Sequence, residues 1–503
     1  MEGTSARIVA SGGKDRNRHG SRRVTQAAVP ERGRFLRALP RTAGRKPWVW
    51  IRSGIWRNRS RSGKDQALKR AWSRAAELAA KTPDSRNRYV DFLRAAAILC
   101  VVVGHWLAAA PYVDASGTLQ ATHVLAVARW THWLTWAIQV MPVFFMVGGF
   151  SNGLTWRAAR RDGAGYRAWL DARLRRLVWP VVPLLAVWVV LGVAAHQGGV
   201  RPGMVRIGSQ MAFVPTWFLA VYVGVVALVP VTHALWERLG FGSFWAFAGA
   251  AVLVDLAFFT ADLRALGWVN YLLVWSAVHQ LGYAWGEGRF GGAGQGLLLL
   301  AVGLAAMIVL TELGPYPHAM VGVPGEPVGN TSPPKITLLA LATAQGGLLL
   351  ALQAAARRWL ARGAPWTATI LVNGMIMTIY LWHPTAMLFV IALADGLGGI
   401  GLRLSPGSGA WWASRPVWHG VLVAALLPLV AIFGRFERPR ARRGPPPGAP
   451  RLLGGAVLVC AGLALLALNG IGGDGWLGLR PVAISMPFAG AVLILAPSVP
   501  KRG

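Results

Sequence analysis

Residues 86–107 read RNRYVDFLRAAAILCVVVGHWL. Between Ala95 and Val103 the run contains only small and apolar residues, and with its flanks it reaches the ~20 residues that an α-helix needs to cross a bilayer core. Similar stretches recur at Val178 to Ala195 and at Val421 to Phe433. With 54% hydrophobic and only 14% charged residues over 503 positions, the chain cannot present a soluble surface. The sequence therefore predicts an all-α polytopic membrane protein, with about ten core transmembrane helices and two more at the C-terminus.

The expected spans lie near 89–110, 125–153, 177–195, 211–233, 244–261, 266–286, 295–313, 336–356, 367–392 and 416–434, then near 452–469 and 483–498. Three regions follow: a basic tail over 1–85, a membrane domain over 86–439, and a linker with two extra helices over 440–503. The tail is read as disordered, and it lacks the apolar core and cleavage pattern of a signal peptide. Cys100 and Cys460 both fall in apolar stretches and read as small core residues, with no disulfide framework and no metal site.

The formal charge of +33 would suit nucleic acid, but the first 88 residues alone hold 23 Lys and Arg against 6 Asp and Glu. With the N-terminus placed in the cytoplasm, the inner connections carry 18 basic residues and the outer ones 7, the bias expected of cytoplasmic loops. Both termini then face the anionic inner leaflet of the plasma membrane, at ~1 kcal/mol per basic residue near the surface. Nucleic acid is not needed to explain the charge.

The first span holds Asp91, Arg94 and His105 in an otherwise apolar helix, where each charge costs ~3 kcal/mol on insertion scales. Arg94 and His105 stand eleven positions apart, which returns to within ~20° of the same helix face and separates them by ~16 Å. One long ligand could touch both, anionic near Arg94 and reactive at His105, deeper in the bundle. An acyl thioester of coenzyme A has that form: a guanidinium forks onto phosphate oxygens, and a neutral imidazole takes a proton from a hydroxyl. The bland alternative pairs Arg94 with Asp91 at i, i+3 and makes His105 an interhelical donor. Spacing alone leaves both open.

The order of motifs favours the first. DFLRAAAILCVVVGHW, with its arginine, ten intervening residues and histidine, resembles the opening helix of the acyltransferase-3 family of membrane O-acyltransferases. MPVFFMVGGFSNGLTW, YRAWLDARLRRLVWP, PTWFLAVYVGVVALVP, TIYLWHP and RFERP follow in the order the family shows, covering residues 88–439. The Gly149 to Gly153 segment is more polar than the family pattern, and the basic tail lies outside it.

The resemblance implies an enzyme moving an acyl group, in the simplest case acetyl, from acyl-CoA as co-substrate to a hydroxyl of a cell-envelope carbohydrate or another small acceptor. It assigns His105 as base, with Arg94, Arg173 and Arg176 on the donor phosphates. Tyr380, His383 and Trp217 are candidate substrate contacts, and Glu437 closes the motif series. Asp255, an uncompensated carboxylate, and His279 are expected to belong to polar networks. The Gly148, Gly149 and Gly153 cluster serves helix packing, and the outer loop from Pro315 to Pro334 is long enough to cover an acceptor site. The competing class is a multi-pass transporter or flippase with a proton-coupled polar path, for which an internal repeat would be expected, and none is evident.

Overall fold

The structure is a computed structural model and describes residues 56–83, 86–439, 441–442 and 444–497. The chain divides into two units, 1–62 and 63–503, and of the first only the opening of one helix is described. Most of the sequence reading of the tail, including its lipid contacts, lies outside the described residues. Within it, however, Trp56–Ala80 form helix α1 where no helix was expected. Gln66 to Ala80 is rich in Ala, Leu, Lys, Arg and Glu, all strong helix formers, and Pro83 follows its end.

Beyond α1, twenty α-helices and β-strands carry the described chain into and across the bundle. They begin with α2 (Arg88–Ala108), a hairpin of β1 (Ala109–Val113) and β2 (Leu119–His123), α3 (Val124–Val127), α4 (Thr131–Ile138), α5 (Met141–Arg161), α6 (Gly165–Val178) and α7 (Val181–Gln197). Then come α8 (Pro202–Phe213), α9 (Thr216–Ala227), α10 (Val229–Leu239), α11 (Phe241–Thr260), α12 (Asn270–Gly286), α13 (Ala293–Glu312) and α14 (Thr337–Leu360). The last are α15 (Gly363–Asn373), α16 (Ile376–Gly396), α17 (Gly409–Phe433), α18 (Ala449–Asn469) and α19 (Pro481–Leu495). Among the described residues nine helical stretches are long and apolar enough to span a bilayer, or ten when α8 and α9, bent by 49°, count as one.

Several expected spans are interrupted, and the interruptions have local causes. The span near 211–233 is three helices, because Pro215 stands between α8 and α9, and Pro230 lies in the first turn of α10. The span near 367–392 breaks at Gly374 and Met375, where α15 ends and α16 begins. The expected connection after the first span is an antiparallel hairpin with Ala109 opposite His123. At its turn the side chain of Asp114 accepts hydrogen bonds from Ser116, Gln120 and Thr118, which hold its carboxyl down at about 2, and Gly117 takes a φ of 79°. Short strands beside a long apolar run leave little pattern to read.

The core helices meet at glycines. A Cβ built on Gly149 of α5 would lie 2.1 Å from the His279 carbonyl oxygen of α12, and one on Gly282 would lie 2.2 Å from the Met146 carbonyl oxygen. The two backbones touch, as in membrane bundles where packing rather than water expulsion drives association. α18 and α19 form a second close pair through Gly455, Gly462 and Gly490. Arg442 holds this hairpin to α6, with Nη2 and Nε donating to Asp171 at 2.7 and 2.9 Å and further bonds to the Ile494 and Ala496 carbonyls.

Gly149→Val or Gly282→Val should therefore lower the thermal midpoint of the purified protein sharply, at a cost of ~3 kcal/mol for overpacking against backbone. Gly249→Val on α11, where a Cβ meets nothing within 4 Å, should leave it nearly unchanged.

Candidate active site

The two ends of α2 carry different chemistry. Asn87 caps its start by accepting from the Val90 amide. In its second turn Arg94 donates through Nη1 to Asp91 at 3.1 Å and through Nη2 to Ser151 of α5 at 3.0 Å, while Arg86 holds the other oxygen of Asp91 at 2.6 Å. On α6, Arg173 donates to the Thr155 hydroxyl and stands 5.7 Å above the Trp169 ring. Arg176 is exposed and makes no ion pair or hydrogen bond among the described residues.

Arg94, Arg173 and Arg176 feel one another's charge, and Tyr222 of α9 faces both α6 arginines. Of the three, only Arg94 is in ion-pair contact with a carboxylate among the described residues. The Arg94–Asp91 pairing of the bland reading is present, yet it consumes one arm of one guanidinium. The cluster keeps a net positive charge suited to phosphate oxygens.

At the other end His105 occupies the last turn of α2, beside the fully buried His383. Its Nδ1 is 2.9 Å from Nε2 of His383 on α16, and the rings stack with centroids 5.2 Å apart. Nδ1 of His383 lies 2.7 Å from the Tyr380 carbonyl oxygen, and the Trp106 indole donates to the His383 carbonyl at 3.0 Å. A carbonyl can only accept, so His383 Nδ1 carries hydrogen. In the neutral ring its Nε2 then accepts, and His105 Nδ1 must donate. The remaining nitrogen of His105, Nε2, keeps its lone pair.

His105 lines a cavity of about 740 Å³, together with Tyr380 and Trp217. The hairpin contributes His123, and the loop from Pro315 to Pro334 contributes Val321, Gly322, Thr331 and Ser332, so that loop borders this cavity. His123 accepts from the Leu125 amide, and burial holds its imidazole down at about 4. None of the three arginines lines this cavity. Between the two ends lies an aromatic layer in which Phe218 stacks on Tyr222 at 5.6 Å and meets Phe145 at 5.5 Å. Phe218 faces the cavity, and Tyr222 the arginines.

The start of α16 is fixed from a distance. Glu437 accepts from the Met377 amide at 2.9 Å, from the Thr378 amide at 3.0 Å and from the Thr378 hydroxyl at 2.7 Å. It thereby satisfies orphan donors at a helix N-terminus and places a negative charge at the positive end of the helix dipole.

The sequence model of a family described as an acyltransferase domain matches residues 87–435. The chain belongs to the acyltransferase-3 family. It is accordingly a multi-pass membrane acyltransferase. No curated protein and no solved structure matches it. The matched region ends just before Glu437 and leaves α18 and α19 outside.

Within the acyltransferase the seven residues singled out from sequence form two groups. Arg94, Arg173 and Arg176 share one end, while His105, His383, Tyr380 and Trp217 share the other. The Tyr380 hydroxyl donates to the Pro215 carbonyl at the α8–α9 break, which also accepts from the Phe218 amide, so the hydroxyl already has a partner. Asp255 is not uncompensated: it accepts from Asn270, Tyr316 and the Ile336 amide, with Lys335 Nζ 3.8 Å away. His279 joins Asn152 at 3.2 Å in a buried polar network, as expected. Both cysteines line the cavity and so are not plain core. The hairpin and His123 were missed, since nothing in APYV or LQATH marks a site.

Removing the partner of His105 gives a direct check. His383→Ala should lower kcat, by up to the ~10²- to 10⁴-fold that a positioned acid–base group contributes. His383→Gln, whose amide oxygen can still accept from Nδ1, should recover part of that loss and the pH–rate profile. Equal defects in the two variants would mean that His383 only packs.

Proposed function

We propose that this acyltransferase moves an acyl group, acetyl in the simplest case, from acyl-CoA to a hydroxyl of a cell-envelope carbohydrate or another small acceptor. The observation that carries this reading is the His383–His105 pair, which leaves one basic nitrogen at a cavity on the helix whose other end bears Arg94. Rise along α2 separates Arg94 from His105 by ~16 Å, a span suited to an extended donor with phosphates at one end and a thioester at the other.

In the proposed step Nε2 of His105 takes the proton of the acceptor hydroxyl as its oxygen attacks the thioester carbonyl. The C–S bond breaks, coenzyme A leaves as thiolate, and the imidazolium returns the proton to sulfur. Arg94, Arg173 and Arg176 hold the donor phosphates through charge-assisted bonds. Transfer is direct, and no acyl-enzyme is formed. The arginine end faces the cytoplasm of a plasma-membrane protein with both termini inside.

Two measurements test this. His105→Ala should insert normally and lose transfer by ~10²- to 10⁴-fold, and Arg94→Lys should raise the donor KM while leaving the acceptor KM nearly unchanged, because an ammonium keeps charge but loses the planar fork. A purified protein that releases no coenzyme A with any acceptor pool would refute the reading. For orientation, a reporter fused after residue 160 should read cytoplasmic and one within 315–334 external; opposite signals would reverse the side from which the donor binds.

A further inference from the structure

The cavity extends well beyond the space around His105, and its far part contains no group used in the transfer. Below Trp217, residues Ala220, Val221 and Gly224 follow one face of α9 at helical spacing. Ala461, Ala464 and Leu468 repeat that spacing on α18 and form the facing wall. The Cys460 thiol lies 3.0 Å from the Ala220 carbonyl oxygen, which fixes how closely the two helices approach. Leu272 of α12 lines the opposite flank.

The result is a smooth trough roughly 10–12 Å long by helical rise. Apart from the Cys460 thiol, none of its lining side chains can hydrogen-bond. Leu272 and Leu468 are 43% and 51% exposed on the surface that the helices present to lipid, so the trough is open sideways to the bilayer.

The polar lining lies elsewhere. His123, Thr131, Tyr271 and Ser332 gather at the His105 end, on the hairpin, on α4, at the start of α12 and on the 315–334 loop. Along the α9–α18 side depth orders the cavity: hydroxyl-rich at the membrane face where α2 ends and α9 begins, then apolar but for the Cys460 thiol for two helical turns toward the membrane middle, with Gln139 and Cys100 on the opposite, α2–α4 side. An amphiphile in that leaflet has the same order, headgroup at the surface and chain inward. A donor held by the arginines approaches from the other face, and its acyl chain would have to turn back on itself to enter the trough.

We propose that the acceptor is itself a membrane lipid, with a hydroxylated headgroup at His105 and a single aliphatic chain in the trough between α9 and α18. This rests on the reading of His105 as base, and it narrows the acceptor to molecules carrying their own anchor. α9 lies within the family match and α18 outside it, so one of the two chain-binding walls belongs to a part of the protein beyond the matched domain. The Arg442–Asp171 contact ties that part to the arginine-bearing helix α6.

The test uses the full chain in phosphatidylglycerol nanodiscs, with a dodecyl glucoside bearing a diazirine at the end of its chain as probe. Photolysis should label residues 217–224 and 460–468 at least tenfold more than 297–302 of α13, whose Leu297, Leu298 and Val302 face lipid without a cavity. Ala464→Phe and, independently, Gly224→Val, whose added Cβ meets only Leu272 at 3.8 Å, should each reduce trough labelling at least fivefold.

Dodecanoyl-CoA with the same tag should not label the trough. His105→Ala should retain the labelling, so turnover surviving in that variant would refute the base without touching the lipid site. Labelling of the trough no stronger than that of α13, labelling indifferent to both plugs, or labelling by the CoA-linked chain would overturn the proposal.

Discussion

A helix that begins inside a packed bundle presents amide groups that its own turns cannot satisfy, and here that deficit is met by one carboxylate. Glu437, some sixty residues downstream, accepts from the Met377 and Thr378 amides and from the Thr378 hydroxyl. In a medium of low polarity such charge-assisted bonds are strong, and leaving the amides unpaired would be costly. The position of α16 follows, and with it His383, whose ring sets the tautomer of His105. The basic nitrogen at the cavity is thus placed through a sequence of contacts that starts at a helix end.

The same logic explains why the bundle is broken where it is. The Pro215 carbonyl between α8 and α9 accepts the Tyr380 hydroxyl as well as the Phe218 amide, so a backbone interruption becomes a contact point for the helix that bears His383. Asp255 similarly gathers the Ile336 amide at the head of α14, together with Asn270, Tyr316 and Lys335. That cluster secures the outer loop at its junction with α14. In both places a polar group that would be expensive alone is used to fix an irregular segment beside the cavity.

Much of this architecture was legible in the residues. A polar side chain inside a twenty-residue apolar run is costly, which made Arg94 and His105 stand out before any contact was known. The contact between His105 and His383 was not readable, because 278 residues separate them and no spacing rule reaches that far. Glu437 could be matched to a motif, but the break at Gly374 and Met375 that creates its task could not be foreseen from hydropathy, which sees one continuous span. Arginine density hid the helix at Trp56–Ala80, whose alanine-rich second half argued for it. The lateral trough was invisible for a different reason: alanines on α9 and α18 read as packing residues, and only their joint failure to fill space makes a cavity.

The His105–His383 contact also has a temporal side. A ribosome finishes α2 long before it reaches α16, and at roughly 5–20 residues per second the intervening segment takes tens of seconds to make. During that interval the imidazole of His105 is already in the bilayer without its orienting partner, and the α18 wall of the cavity is still further from synthesis. Until then the nascent chain holds His105 without a fixed tautomer and without a closed cavity, so the geometry of this end is completed only when the C-terminal helices have been made.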